Sequence, residues 1–97
     1  MPLSKKDALM KNLAYEAVAV IHGGETVALV EVEKNAPVAN KLETAFMKTN
    51  SINDAWWNNE GVSKVFKGIA CRSTSVGDMV LIGTTTYKCE VTGWSEV

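Results

Sequence analysis

Ninety-seven residues, 46% of them hydrophobic and 22% charged, describe one globular domain over residues 1–97 and exclude a disordered chain. Ten basic residues against eleven acidic ones leave a net charge of −1, which speaks against a protein that coats nucleic acid. No apolar run approaches the ~18 residues of a membrane span, and MPLSKKDALMKN lacks a signal core of about 7–15 apolar residues. A cytoplasmic chain with no membrane partner is therefore expected, with Cys71 and Cys89 as reduced thiols.

Ser4 and Asp7 make a weak capping box, and Ala8, Leu9 and Leu13 mark a short helix of about two turns. YEAVAVI and TVALVEVE are rich in β-branched residues and predict antiparallel strands at 15–21 and 26–33. Gly23-Gly24 between them suits a tight hairpin turn. Residues 27–32 are apolar except Glu31, so both faces of that strand are expected to be partly covered. Pro37 opens a helix over 37–49, because its missing N–H is no loss in a first turn. Val38, Leu42, Ala45, Phe46 and Thr49 share one face of it, while Lys41, Glu43 and Lys48 fall elsewhere.

NSINDAWWNNEG at 50–61 reads as a loop, and VSKVFK at 62–67 as a short strand. Residues 78–92 form a second hairpin with a loop of about three or four residues. Tyr87, Cys89 and Val91 alternate with polar residues there and should face a core shared with Leu42 and Phe46. Gly93 ends the hairpin, and Trp94 lands beyond it.

TNSINDAWWNNEGV at 49–62, CRSTSVGD at 71–78 and the spacing of Tyr87, Cys89, Gly93 and Trp94 resemble a group of small bacteriophage and marine-metagenome proteins. They are similar also to the YodL-like domain. The match spans residues 49–97; the N-terminal half agrees only in plan, as strand, strand, helix. The resemblance implies a phage or mobile-element origin and no activity.

Several motifs carry two readings. Arg72-Ser73-Thr74-Ser75 before Val76-Gly77-Asp78 is either an anion-binding nest or a turn into a strand, and the turn is favoured. A phosphate-binding loop would need Gly-Lys-Ser/Thr opening a helix, which is absent. One tryptophan of Trp56-Trp57 should close the core and the other anchor a partner. Lys64, Lys67 and Arg72 are either a basic patch or solvated charges. His22 makes a poor metal ligand without a second histidine, and nothing in the spacing brings it to Cys71 or Cys89. No catalytic constellation, cofactor site or metal site emerges.

The fold expected is α+β: a small, strongly twisted antiparallel sheet of four or five strands with one main amphipathic helix. It either curls into a partly open SH3- or Sm-like barrel or stays an open sheet. The function expected is a non-enzymatic interaction module with a protein partner, whose surface is Trp56, Trp57, Lys64, Lys67 and Arg72. The alternative is a small-barrel binder of single-stranded nucleic acid. Self-association is expected if TVALVEVE lies at a sheet edge.

Overall fold

The computed structural model describes residues 14–52 and 54–97. The helix expected before Tyr15 lies outside them. Strands β1 (Tyr15–His22) and β2 (Glu25–Glu33) form the first hairpin. Its two-residue turn is Gly23-Gly24, with φ of 57° and 85°, the double positive φ that makes this hairpin turn a glycine position. Helix α1 (Val38–Lys48) follows, then a single 3₁₀ turn at Trp56–Asn58 and strand β3 (Val62–Lys64). Strands β4 (Met79–Ile82), β5 (Thr85–Cys89) and β6 (Trp94–Glu96) complete the chain.

All six strands join one antiparallel sheet in the order β3-β2-β1-β4-β5-β6. The sheet is open, and this corrects both the expected strand count and the barrel. The edge strands β3 and β6 have three residues each and stand at opposite ends of the ladder. β6 is the strand that sequence reasoning missed, because Gly93 hides the continuation of the pattern. TVALVEVE is not an edge; it pairs with β1 on one side and β3 on the other.

Alternation along the strands sends Val18, Val20 and His22 of β1, Ala28, Val30 and Val32 of β2, and Val80 of β4 to one face. Leu42 and Ala45 of α1 cover that face, and Trp56 fills the space between them with no exposure at all. Phe46 is half-buried and meets Trp94 edge-on at 6.3 Å. Cys89 is buried and Tyr87 packs against the core, as the alternation predicts. Val91 is 86% exposed, because β5 stops at Cys89 and the chain turns toward β6. Lys41 also departs from expectation. It is buried under the helix, where its Nζ donates to Glu16 Oε1 at 2.8 Å.

On the opposite face of β2 the cover is partial, as the sequence suggests, with Glu31 half-buried. Leu29 there is 39% exposed, and no described element packs across it. Among the described residues, no helix is long and apolar enough to cross a membrane.

The link from β3 to β4 passes two strands. Residues 65–78 leave one edge of the sheet, cross the α1 side and enter β4 beside β1. Trp56 Nε1 donates to Cys71 O and Arg72 O, both at 3.0 Å, and Thr74 N donates to Thr49 O at 2.9 Å. The crossing ends in a turn in which Asp78 N donates to Ser75 O at 3.0 Å and Gly77 has φ of 94°. Space is open around a Cβ at Gly77, so only the backbone conformation resists a side chain. Gly77→Val should therefore lower stability by about 1–2 kcal/mol. Urea titration of parent and variant reads this directly, and equal midpoints would show that the turn tolerates a Cβ.

Candidate functional site

Residues 71–78 converge with the end of β1 and the end of α1. Asp78 sits just before β4 and is 4% exposed. Arg72 grips it with two nitrogens, Nη1 to Oδ2 at 2.6 Å and Nη2 to Oδ1 at 2.7 Å. Ser75 N adds a third donor to Oδ2 at 2.8 Å. The RSTSVGD stretch is thus a closed turn whose own carboxylate occupies the place that an outside anion would take. This favours the turn reading over the anion nest.

A second set of contacts centres on His22. Its Nε2 lies 2.8 Å from Thr74 Oγ1 and 3.6 Å from Asp78 Oδ2, and its Nδ1 lies 3.7 Å from Cys71 Sγ. Thr74 Oγ1 donates to Thr49 Oγ1 at 2.7 Å, and Thr49 Oγ1 donates to Ala45 O at 2.7 Å. The direction of this chain is fixed from its far end. A carbonyl only accepts, so Thr49 gives its proton to Ala45 and accepts from Thr74. Thr74 has then spent its proton and accepts from His22. The ring therefore carries its proton on Nε2 and leaves Nδ1 bare toward the Cys71 thiol.

Burial pushes the His22 ring below its ordinary value of 6.5, with Asp78 opposing and Arg72 reinforcing the shift. Burial likewise pushes the Cys71 thiol above its ordinary value, against the pull of Arg72. Both shifts favour a neutral thiol beside a neutral imidazole. Burial by itself would raise the Asp78 carboxyl, but the hydrogen bonds from Arg72 and Ser75 N prevail and hold it below 3.8.

The sequence reading did not bring His22 and Cys71 together; the structure does, across 49 residues of chain. Part of the signal was legible. His22 follows Val18 and Val20 at period two, and Thr49 continues the helix stripe, so both point inward. Thr74 and Cys71 lie in the crossing segment, where no periodicity exists to read. Among the described residues, no group of three or more metal-ligating side chains is placed to hold a metal ion.

The residues of the expected surface, Trp56, Trp57, Lys64, Lys67 and Arg72, are placed differently from one another. Trp56 is fully buried and serves the core. Trp57 is half-buried against it, with ring centroids 5.5 Å apart, and both meet Phe66. Lys64 Nζ stands 4.7 Å over the Phe66 ring and donates to Gly68 O at 2.6 Å. Lys67 is exposed. Arg72 is exposed and also paired, its guanidinium held on Asp78. An open cleft of about 650 Å³ lies elsewhere, beside α1 and β2. Its polar lining, which includes Glu33, Lys41, Lys48 and Glu60, is mixed in sign and holds neither thiol nor imidazole.

Comparison with protein-family models, curated proteins and solved structures finds no match to this chain.

The Arg72–Asp78 pair has a pH signature. A carboxyl held below its unfolded value contributes stability above about pH 3.8, lost as pH falls through the folded value. The Arg72 side chain is 55% exposed, so water can partly replace it, and Arg72→Ala should cost about 1–2 kcal/mol at neutral pH. That gap should close under acid conditions, where Asp78 is protonated in both proteins. Urea titrations at neutral and acid pH check it; a gap that persists in acid would mean that the arginine acts through packing alone.

Proposed function

We propose that this chain is a non-enzymatic interaction module that pairs with a second copy of itself through the face of the sheet opposite α1. One observation carries the reading. Leu29, Ala19, Leu81 and Thr86 stand directly opposite one another across β2, β1, β4 and β5, with Ile21 opposite Met79 in the adjoining row. A row that is aliphatic across β2, β1 and β4, ends on Thr86 of β5 and has no described element over it is the kind of surface that a partner buries.

Charge favours a two-fold mate. Glu31, opposite Ala17, and Lys88, opposite Met79, bracket the row at opposite corners. A two-fold axis set across that diagonal brings each Lys88 toward Glu31 of the partner subunit. Leu29 is exposed and Ala19, Ile21, Met79 and Leu81 are half-buried already, so pairing hides little further surface and the association is weak and depends on concentration. A phage or mobile-element origin rests on the resemblance of the tail at 49–97 alone.

A second reading, binding of single-stranded nucleic acid, rests on Lys64 and Lys67 beside Phe66 and Trp57. It is the weaker one. The net charge is −1, the open sheet removes the Sm-like barrel, and the Lys64 ammonium is already satisfied by Gly68 O and the Phe66 ring. Salt-dependent binding to a single-stranded oligonucleotide separates the two readings.

Light scattering tests the first. At about 0.5 mM the parent should exceed one chain mass, since a Kd of ~0.1 mM already leaves most chains paired. Leu81→Lys, on a half-exposed position, should return the mass of one chain without loss of fold. A parent that stays at one chain mass, or a Leu81→Lys protein that associates as well as the parent, would remove this face as the interface.

A further inference from the structure

The thiol beside His22 has no part in the sheet-face reading, and it carries chemistry of its own. We propose that Cys71 is a thiolation site: its thiol, with His22 as built-in base, exchanges with small disulfides to give a mixed disulfide on Cys71.

The argument starts from the direction of the hydrogen-bond chain. Ala45 O, Thr49 and Thr74 hold the ring proton on Nε2, so the bare Nδ1 lone pair faces Cys71 Sγ at 3.7 Å. When Nδ1 takes the thiol proton, the ring becomes an imidazolium with Asp78 Oδ2 3.6 Å from its other nitrogen. A nucleophile, a base and a carboxylate behind the base thus stand in line. Cys89 is the internal contrast. It is buried in the core, and the polar contact of its sulfur is Glu90 O at 3.9 Å, not an imidazole. Cys71 is half-buried where Cys89 is buried, so it is the more open of the two thiols.

The choice of electrophile follows from what the loop offers. Acyl transfer needs free donors for a developing oxyanion. Two donors of the loop, the N–H groups of Thr74 and Ser75, are not free for this, being given to Thr49 O and Asp78 Oδ2. Exchange at sulfur needs no such cradle. Cys71 Sγ attacks one sulfur of the disulfide; the new S–S bond forms as the old one breaks. The thiol proton passes to His22 Nδ1 and then to the departing thiolate, which leaves as a free thiol. Cys71 is oxidised to the mixed disulfide, half of the reagent is reduced, and no further oxidant enters.

The resting pair is neutral, so proton transfer to the ring accompanies attack. The rate then follows the fraction of unprotonated His22 rather than the fraction of free thiolate. Asp78, Arg72 and Cys71 are the titratable groups that act on the ring. Among the described residues its hydrogen-bond partner toward the helix is the neutral Thr74 hydroxyl, with Thr49 behind it, and in the sheet Glu25 of β2 stands opposite it.

The test uses the parent protein and oxidised glutathione, with the adduct located by peptide mass, from pH about 5 to about 9. In the folded protein the rate at Cys71 should rise to a plateau below pH ~6.5 and stay level within about twofold to pH ~8. In the same protein unfolded in urea it should climb about tenfold per pH unit toward the ordinary thiol value of ~8.5. His22→Gln should abolish the plateau and slow the folded protein about tenfold or more near neutral pH. A folded-state rate that climbs with pH and has no plateau overturns the proposal. So does a His22→Gln protein that keeps the plateau, or a Cys71 no more reactive than Cys89. The folded-against-unfolded comparison needs only the parent, so it decides the matter even where His22→Gln fails to fold.

Discussion

The buried chain from His22 Nε2 through Thr74 Oγ1 and Thr49 Oγ1 to Ala45 O joins three parts of the molecule that share no strand pairing. His22 ends β1, Thr74 lies in the segment that crosses the sheet, and Thr49 and Ala45 belong to the end of α1. Each group in it is buried, and an unmet donor or acceptor there would cost about 1–3 kcal/mol. The chain has one solution, because it terminates on a carbonyl that can only accept. That single direction fixes the ring tautomer, the crossing segment and the end of the helix together.

The rest of the crossing segment follows from this anchor. Trp56 holds Cys71 O and Arg72 O through its indole N–H while its ring fills the core, so one side chain fixes both packing and path. Arg72 and Ser75 N then close the turn on Asp78, and Gly77 allows the reversal into β4. Cys89 N donates to Asp78 O and Gly77 N to Cys89 O, both at 2.8 Å, which ties the turn to β5. The aliphatic side of the sheet has no part in this network. That separation keeps the open face of the sheet apart from the polar cluster.

The periodic elements were legible in the sequence, and the contacts between them were not. Period two gave β1, β2 and β5, and the stripe of Leu42 and Ala45 gave α1, because side-chain direction in a regular element follows from position alone. The alternation was extended too far at Val91, since strand length is set by where the partner strand turns away. Lys41 falls outside the apolar stripe of α1, yet it is buried, because Glu16, half-buried on the inward side of β1, supplies it with a partner 25 residues away. Arg72, Thr74 and Cys71 lie in an aperiodic crossing, where partners are chosen by topology. The barrel was a reasonable way to hide strand edges, but three-residue edge strands and the crossing segment reach the same end with an open sheet.

Two-dimensional proton–nitrogen NMR of the imidazole ring tests the central claim most directly. At neutral pH the His22 ring should appear as the neutral tautomer with its proton on Nε2, and it should stay neutral below the ordinary imidazole value of 6.5. A ring protonated on Nδ1, or one averaging between tautomers as a solvent-exposed histidine does, would contradict the buried chain and the account of the fold that depends on it.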